Sequence, residues 1–124
     1  MPGVFDSQYL KLKPADLKSM KVDVQPLLLA DEDVVSVFKS VRDGIVFTTK
    51  RVISVDVQGI TGSKIRYSSF PYNKIQTFSV ETAGTLDIDS ELDLYFSGAG
   101  HIKFEFVKSA NMTELFKMIS EKVL

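Results

Sequence analysis

The stretch from Asp43 to Gly62 constrains the fold more than any other part of the chain. It holds two short runs of β-branched and aromatic residues, Ile45 to Thr49 and Val52 to Val57. Such residues suit a pleated, half-buried surface. Asp43-Gly44 precedes the pair and Gly59 and Gly62 follow it, and glycine reaches positive φ without steric cost. The chain must reverse at Lys50-Arg51, so two positive charges project from that corner. A β-meander follows from this segment; a reaction does not.

The two-residue rhythm extends on both sides. Strands are predicted at about 34–42, 44–49, 51–58 and 64–70, the last ended by Pro71, which cannot donate to a ladder. A fifth strand runs from Lys74 to Glu81. Its apolar residues Ile75 and Phe78 break strict alternation, which predicts a bulge near Gln76-Thr77. Leu92, Leu94 and Phe96 form a sixth strand, and Ile102, Phe104 and Phe106 a seventh. The Ser97 to Gly100 turn joins them into a hairpin with one fully apolar face. Asn111 and Glu114 carry the cap and third-position acid that open a helix. Met112, Leu115, Phe116, Ile119 and Val123 follow at helical spacing.

The first thirty residues are less regular. Pro14 suits a first helical position and Asp16 a first turn, so a helix is expected over Pro14–Met20, with a shorter one near 7–11. Asp31-Glu32-Asp33 reads as a solvated acidic turn. The chain thus divides into a helical extension over 1–30, a bent antiparallel sheet over 31–110 and a capping helix over 111–124. The class is α+β, mainly β, in one domain of 124 residues.

Charge and chemistry narrow the function. A formal net charge of −1 gives no global basic field, so nucleic acid is not an expected partner. No cysteine is present, which excludes disulfides and thiolate metal sites and suits a reducing cytoplasm. The start of the chain has no basic region followed by an apolar one, so no secretory signal is expected. Asp87, Asp89, Glu91 and Asp93 alternate like a calcium ladder. An EF-hand counted from Asp87 would need glycine where Leu92 stands and glutamate where Gly98 stands. Gly59 to Lys64 has the wrong spacing for a phosphate loop, and a strand rather than a helix follows it. His101 is the sole histidine, at a turn where solvent exposure is expected. No serine sits in a nucleophile elbow. The expectation is no catalytic residue, no cofactor and no metal.

Two surface features stay as candidates. Lys50, Arg51, Lys64 and Arg66 are the basic residues that two paired strands would bring together, as an anion or acidic-partner site. Charges there also discourage strand-to-strand aggregation. Tyr95 falls on the polar face of its strand, where a monomer gains little from it and an interface gains more.

The chain resembles the bacterial pleckstrin-homology-like domain family in Val41-Arg42-Asp43, Phe47 to Arg51, Asp56 to Gly62, Phe70-Pro71-Tyr72 with Ile75, Phe78 to Gly84 and Asp87 to Leu92. The resemblance implies a split barrel of seven antiparallel strands capped by the C-terminal helix. It implies no catalytic activity, and homo-oligomers that can close into rings. The helix has no tryptophan, so Phe116 is its expected core anchor. Phosphoinositide-binding relatives place several basic residues around a long first loop. Here that loop is the tight Arg42-Asp43-Gly44, so headgroup binding does not carry over. The expected function is a non-enzymatic interaction or scaffold module that self-associates in the cytoplasm. The alternative is a membrane-surface or phosphate/anionic-ligand binding module.

Overall fold

The computed structural model describes residues 7–20, 23–82, 89–98, 100–107 and 111–124. Its strands are β1 (Ser7–Ala15), β2 (Val34–Lys39), β3 (Gly44–Thr48), β4 (Arg51–Gln58), β5 (Lys64–Pro71), β6 (Ile75–Thr82), β7 (Ser90–Phe96) and β8 (Gly100–Phe106). One α-helix, α1 (Met112–Val123), follows them. All eight strands form one curled sheet in the order β5-β4-β3-β2-β1-β8-β7-β6. The bend brings Phe70 of β5 and Phe96 of β7 to 5.7 Å between ring centroids.

The strand count therefore exceeds the expected seven by one, and the extra strand corrects the reading of the N-terminus. Residues 7–15 are extended, not helical. Tyr9 and Leu12 both face the core and lie three apart, which imitates helical spacing. A bulge causes it: the register against β8 shifts between Tyr9 and Leu12, and Lys11 takes φ 56. The β-period is thereby broken inside the strand. Pro14 and Ala15 belong to β1, opposite Phe38 and Val37. Of the expected Pro14–Met20 helix only Leu17–Ser19 coils, as one 3-10 turn that the Asp16 carboxylate caps by accepting from the Ser19 N–H at 3.0 Å, and a second 3-10 turn follows at Gln25–Leu27. β1 runs antiparallel to β2 and parallel to β8, so the sheet is not purely antiparallel.

Elsewhere the rhythm was legible. β3 to β8 fall within a few residues of the predicted strands, and the register of β6 shifts between Ile75 and Thr77 where the bulge was expected. β2 stops at Lys39 rather than near 42, because Ser40 and Asp43 close a turn. The Ser40 N–H donates to the Asp43 carbonyl at 2.9 Å, and the Asp43 N–H to Ser40 Oγ at 3.1 Å.

Two cores lie on opposite faces of the sheet. The inner one gathers Leu12, Phe38, Phe47, Phe104 and Phe106, with Phe38 and Phe106 at 4.7 Å edge to face. The outer one gathers Val37, Val46, Ile53 and Val55 under Val24, Leu17, Met20 and Leu28. β3 is buried on both faces as a result. Helix α1 plugs the inner core with Met112, Leu115 and Ile119, and Asn111 Oδ1 accepts from the Glu114 N–H at 3.1 Å. Phe116 is not the anchor. It is 39% exposed and leans on Phe78 of β6 at 4.9 Å, because one step past Leu115 turns it to the rim of the buried stripe.

Phe47 is fully buried and meets the rings of Phe38, Phe104 and Phe106. Phe47→Ala is expected to lower unfolding stability by about 3–5 kcal/mol. Chemical denaturation reads this, and a loss below about 1 kcal/mol would contradict the inner core described here.

Candidate interaction surface

The four basic candidates do not form one cluster. Arg51 opens β4 opposite Pro71, whereas Arg66 lies opposite Asp56 and Lys64 opposite Gln58. Five residues of strand separate Arg51 from the Asp56–Arg66 pair, about 17 Å. Arg66 also shares its face with Ser68 and Phe70, opposite Ser54 and Val52. It therefore lies on the concave side of the sheet, not the outer one, and remains exposed past the end of the core.

The Lys50-Arg51 corner is largely neutralised from within. Arg51 Nε lies 2.8 Å from Glu32 Oε2, and its Nη2 lies 2.9 Å from Glu32 Oε1 and 2.7 Å from the Leu27 carbonyl. Glu32 has no exposed side-chain surface, which corrects the solvated reading of the acidic turn. Its oxygens also accept from the Thr48 hydroxyl at 2.6 Å and the Leu29 N–H at 3.0 Å. Alternation cannot reveal this, because the middle acid of Asp31-Glu32-Asp33 differs from its neighbours only in its partners. Lys50 Nζ pairs with Asp31 Oδ2 at 3.2 Å across exposed surface. The corner thus ties the 24–32 segment down.

Tyr95 lies on the outer face of β7, 39% exposed. Its ring stacks on His101, its register partner on β8, at 5.0 Å and 12°. His101 is half-buried rather than open, and its Nε2 lies 3.4 Å from Asp93 Oδ1. Lys103 Nζ meets Glu91 Oε2 at 3.4 Å. Glu91, with Asp93 and Glu81 behind it, raises the Lys103 pKa. Asp87 of the acidic ladder lies outside the described residues. Among the described residues, no three histidines or carboxylates converge as a metal would require.

A different basic site escaped the sequence reading. Leu10, Lys11 and Lys13 of β1 face the Lys39 to Asp43 segment across a cleft of about 690 Å³. The cleft opens beside the part of β1 before Lys13, which pairs with β8; only from Lys13 to Ala15 does β1 pair with β2. The chain brings its walls together from nearly thirty residues apart, through a strand that the pattern concealed. Arg42 donates from Nη2 to the Gly59 carbonyl and Lys39 from Nζ to the Ser19 carbonyl, so two of its cations rest on backbone oxygens. No helix among the described residues is long and apolar enough to cross a membrane.

Glu32 supplies a pH test. The Arg51 guanidinium above all, helped by Thr48 and Leu29, holds its carboxyl below the ordinary 4.5, down to about 2. A depressed carboxyl stabilises the fold above its unfolded pKa and loses that contribution as pH falls through the folded one. The shift corresponds to about 3 kcal/mol, lost between about pH 5 and pH 2. Glu32→Gln is expected to cost a similar amount at neutral pH and to flatten this acid limb. Denaturant titrations across that range give the result. Equal acid slopes in the two proteins would refute the role of the pair.

Comparison with known proteins agrees with this architecture. The bacterial PH domain family model matches residues 3–123. The chain is 44% identical over 104 residues to the uncharacterized protein YjqA of Bacillus subtilis, covering 82% of this chain and 83% of that protein. It is 30% identical over 98 residues to YozO of the same organism, covering 79% and 84%. Among solved structures, it superposes on a pleckstrin-homology domain protein of Shewanella loihica with TM-score 0.78 and 35% identity, covering 93% of this chain and 99% of that one. A pleckstrin homology domain of Shewanella amazonensis gives TM-score 0.65 and 40% identity over 89% and 90% of the two chains. With its curled sheet plugged by α1 and a family match across almost its whole length, this chain belongs to the bacterial PH domain family.

Proposed function

We propose that the domain is a non-enzymatic interaction module that self-associates through the outer face of β6, β7 and β8. One observation carries this reading: the two halves of the sheet's outer face are treated differently. Residues 15–20 and 23–28 cover the half built by β2, β3 and β4, and a second core forms beneath them. The half built by β6 to β8 has no such cover among the described residues, and it presents the Tyr95–His101 stack. Stacked aromatics with polar edges suit an interface better than open water. The sheet edges add to the case. β5 and β6 end the strand order, and β5 exposes Ile65 and Tyr67 on its outer side. A neighbouring copy covers such edges at low cost, and a heterologous contact that closes makes a ring. A cytoplasmic location fits the cysteine-free composition.

The alternative, a membrane-surface or anionic-ligand module built on Lys50, Arg51, Lys64 and Arg66, has weaker support. Two of those cations are committed to Asp31 and Glu32, and the other two lie far along the strand.

Light scattering coupled to size exclusion tests the reading. Oligomers are expected at micromolar concentration, and Tyr95→Ser is expected to weaken their association about tenfold without changing the thermal midpoint. A protein that stays monomeric at every concentration would sink it.

A further inference from the structure

β1 is joined to β2 over a short stretch, residues 13–15 against 37–39. Its earlier part, residues 7–12, has β8 as its partner. β2 ends at Lys39, and the chain turns away through residues 40–43 into β3. Among the described residues, no strand pairs with that earlier part of β1 on its β2 side. An edge of about six residues, roughly 20 Å long, therefore opens inside the sheet. Such an edge presents unpaired N–H and C=O groups, ready to pair with another strand. The cleft of about 690 Å³ lies along it, with the 39–43 turn as the opposite wall.

The cleft is basic. Lys13 and Lys39 are register partners, and like charges directly opposite each other destabilise a sheet. Lys11 and Arg42 add two more cations. Among the described residues, none of the four lies within ion-pair distance of a carboxylate. Asp43, an acid on the cleft wall, accepts at Oδ1 from the Val57 N–H at 3.0 Å. Lys11 holds its φ of 56 in the bulge that leaves Leu10 and Lys11 together in solvent. A non-glycine residue in that region is strained, and such strain collects at ligand clamps. Leu10 is 49% exposed and Val41 89%, so an apolar side chain flanks the cations on each wall.

We infer that this edge docks an acidic segment of another protein, bound in extended form as an added strand on β1. The segment continues the line of β2 past Lys39. Its backbone pairs with that of β1. Side chains alternate between the faces of a strand, so acids two residues apart fall together on the face of the lysines. An apolar residue of the segment covers Leu10 and Val41. A free phosphate or a lipid headgroup answers the charges but leaves the strand edge and both apolar side chains in water. Nucleic acid fits less well, since the described lining has no aromatic ring on which a base stacks and the net charge of −1 gives no attracting field. This chain's own strand of alternating acids, β7, is already paired on both sides, so a second copy does not supply the segment from there. The docking does not depend on self-association, because Tyr95 lies on β7, two strands from β1 in the sheet.

Peptide binding to the full chain tests this. The probe is a labelled, blocked peptide of alternating glutamate and valine, about seven residues long. Fluorescence anisotropy is expected to give a Kd below about 1 mM at low salt, weakening as sodium chloride is added. Lys13→Glu with Lys39→Glu is expected to weaken binding at least about tenfold. If circular dichroism shows that variant unfolded, Lys11→Gln with Lys13→Gln replaces it, with a loss of about threefold expected. Methylating alternate peptide nitrogens keeps the charge and blocks strand pairing. One of the two alternating patterns is expected to lose at least about tenfold, and hydrogen exchange on β1 before Lys13 to slow when the unmodified peptide binds. Tyr95→Ser is expected to bind the peptide as the wild type does. Equal binding of both methylated peptides would leave a charge contact alone and overturn the docked strand. So would no binding at about 1 mM peptide, or capture of phosphatidylglycerol vesicles or oligothymidine by the same lysines in place of the peptide. If the charge-reversed variant loses self-association and the peptide competes with it, the occupant is a second copy and the proposal is overturned. If the wild type never self-associates yet binds the peptide as a strand, the self-association reading falls and this one stands.

Discussion

The buried pair of Glu32 and Arg51 is the contact on which the two-sided sheet depends. β3 contributes residues to both faces and so requires cover on both. The inner face has helix α1 and the curl of the sheet itself. Among the described residues, the outer face has only the irregular stretches between β1 and β2. Glu32 fixes the end of that segment to β3 through Thr48 and to β4 through Arg51, and Arg51 adds the Leu27 carbonyl. A buried pair of this sort does not by itself add much to stability over an apolar replacement. It does dictate where the segment lies, since a lone buried charge is far costlier than a paired one. Val24 and Leu28 then meet Val37, Val46 and Ile53 because the segment has nowhere else to go.

Much of the fold was legible because most strands keep strict alternation. The β7–β8 hairpin and the Asn111 cap depend on neighbours a few residues away, and such local rules read directly from sequence. β1 was hidden because its bulge at Lys11 moves Tyr9 and Leu12 three apart, and because half of its pairing is parallel to a strand at the far end of the chain. Phe116 was overvalued because helical spacing alone does not say which edge of a stripe is deepest.

The candidate site was less legible, for a related reason. Lys50 and Arg51 stand out in sequence as adjacent cations, yet each had an acid waiting in the Asp31-Glu32 turn. Lys11, Lys13, Lys39 and Arg42 look like scattered solubilising charges until β1 is placed beside β2. Tyr95 was readable because its face followed from alternation, whereas its stack on His101 needed the hairpin register. Electrostatic sites depend on tertiary proximity, and the fold hides or exposes charge by rules that periodicity does not contain.

The position of β1 has a further consequence for how the chain reaches this structure. β1 precedes the other seven strands but sits in the middle of the sheet, and Ser7 lies opposite Ile102. During synthesis β2 to β4 can zip together through short hairpins as they emerge. Their junction with the β6–β8 half must await β8, which emerges after every other strand of the sheet. Contacts of such long sequence separation make folding slow. For that interval the nascent chain holds two half-sheets without their shared strand, and ribosome-bound holding factors would find their longest exposure there.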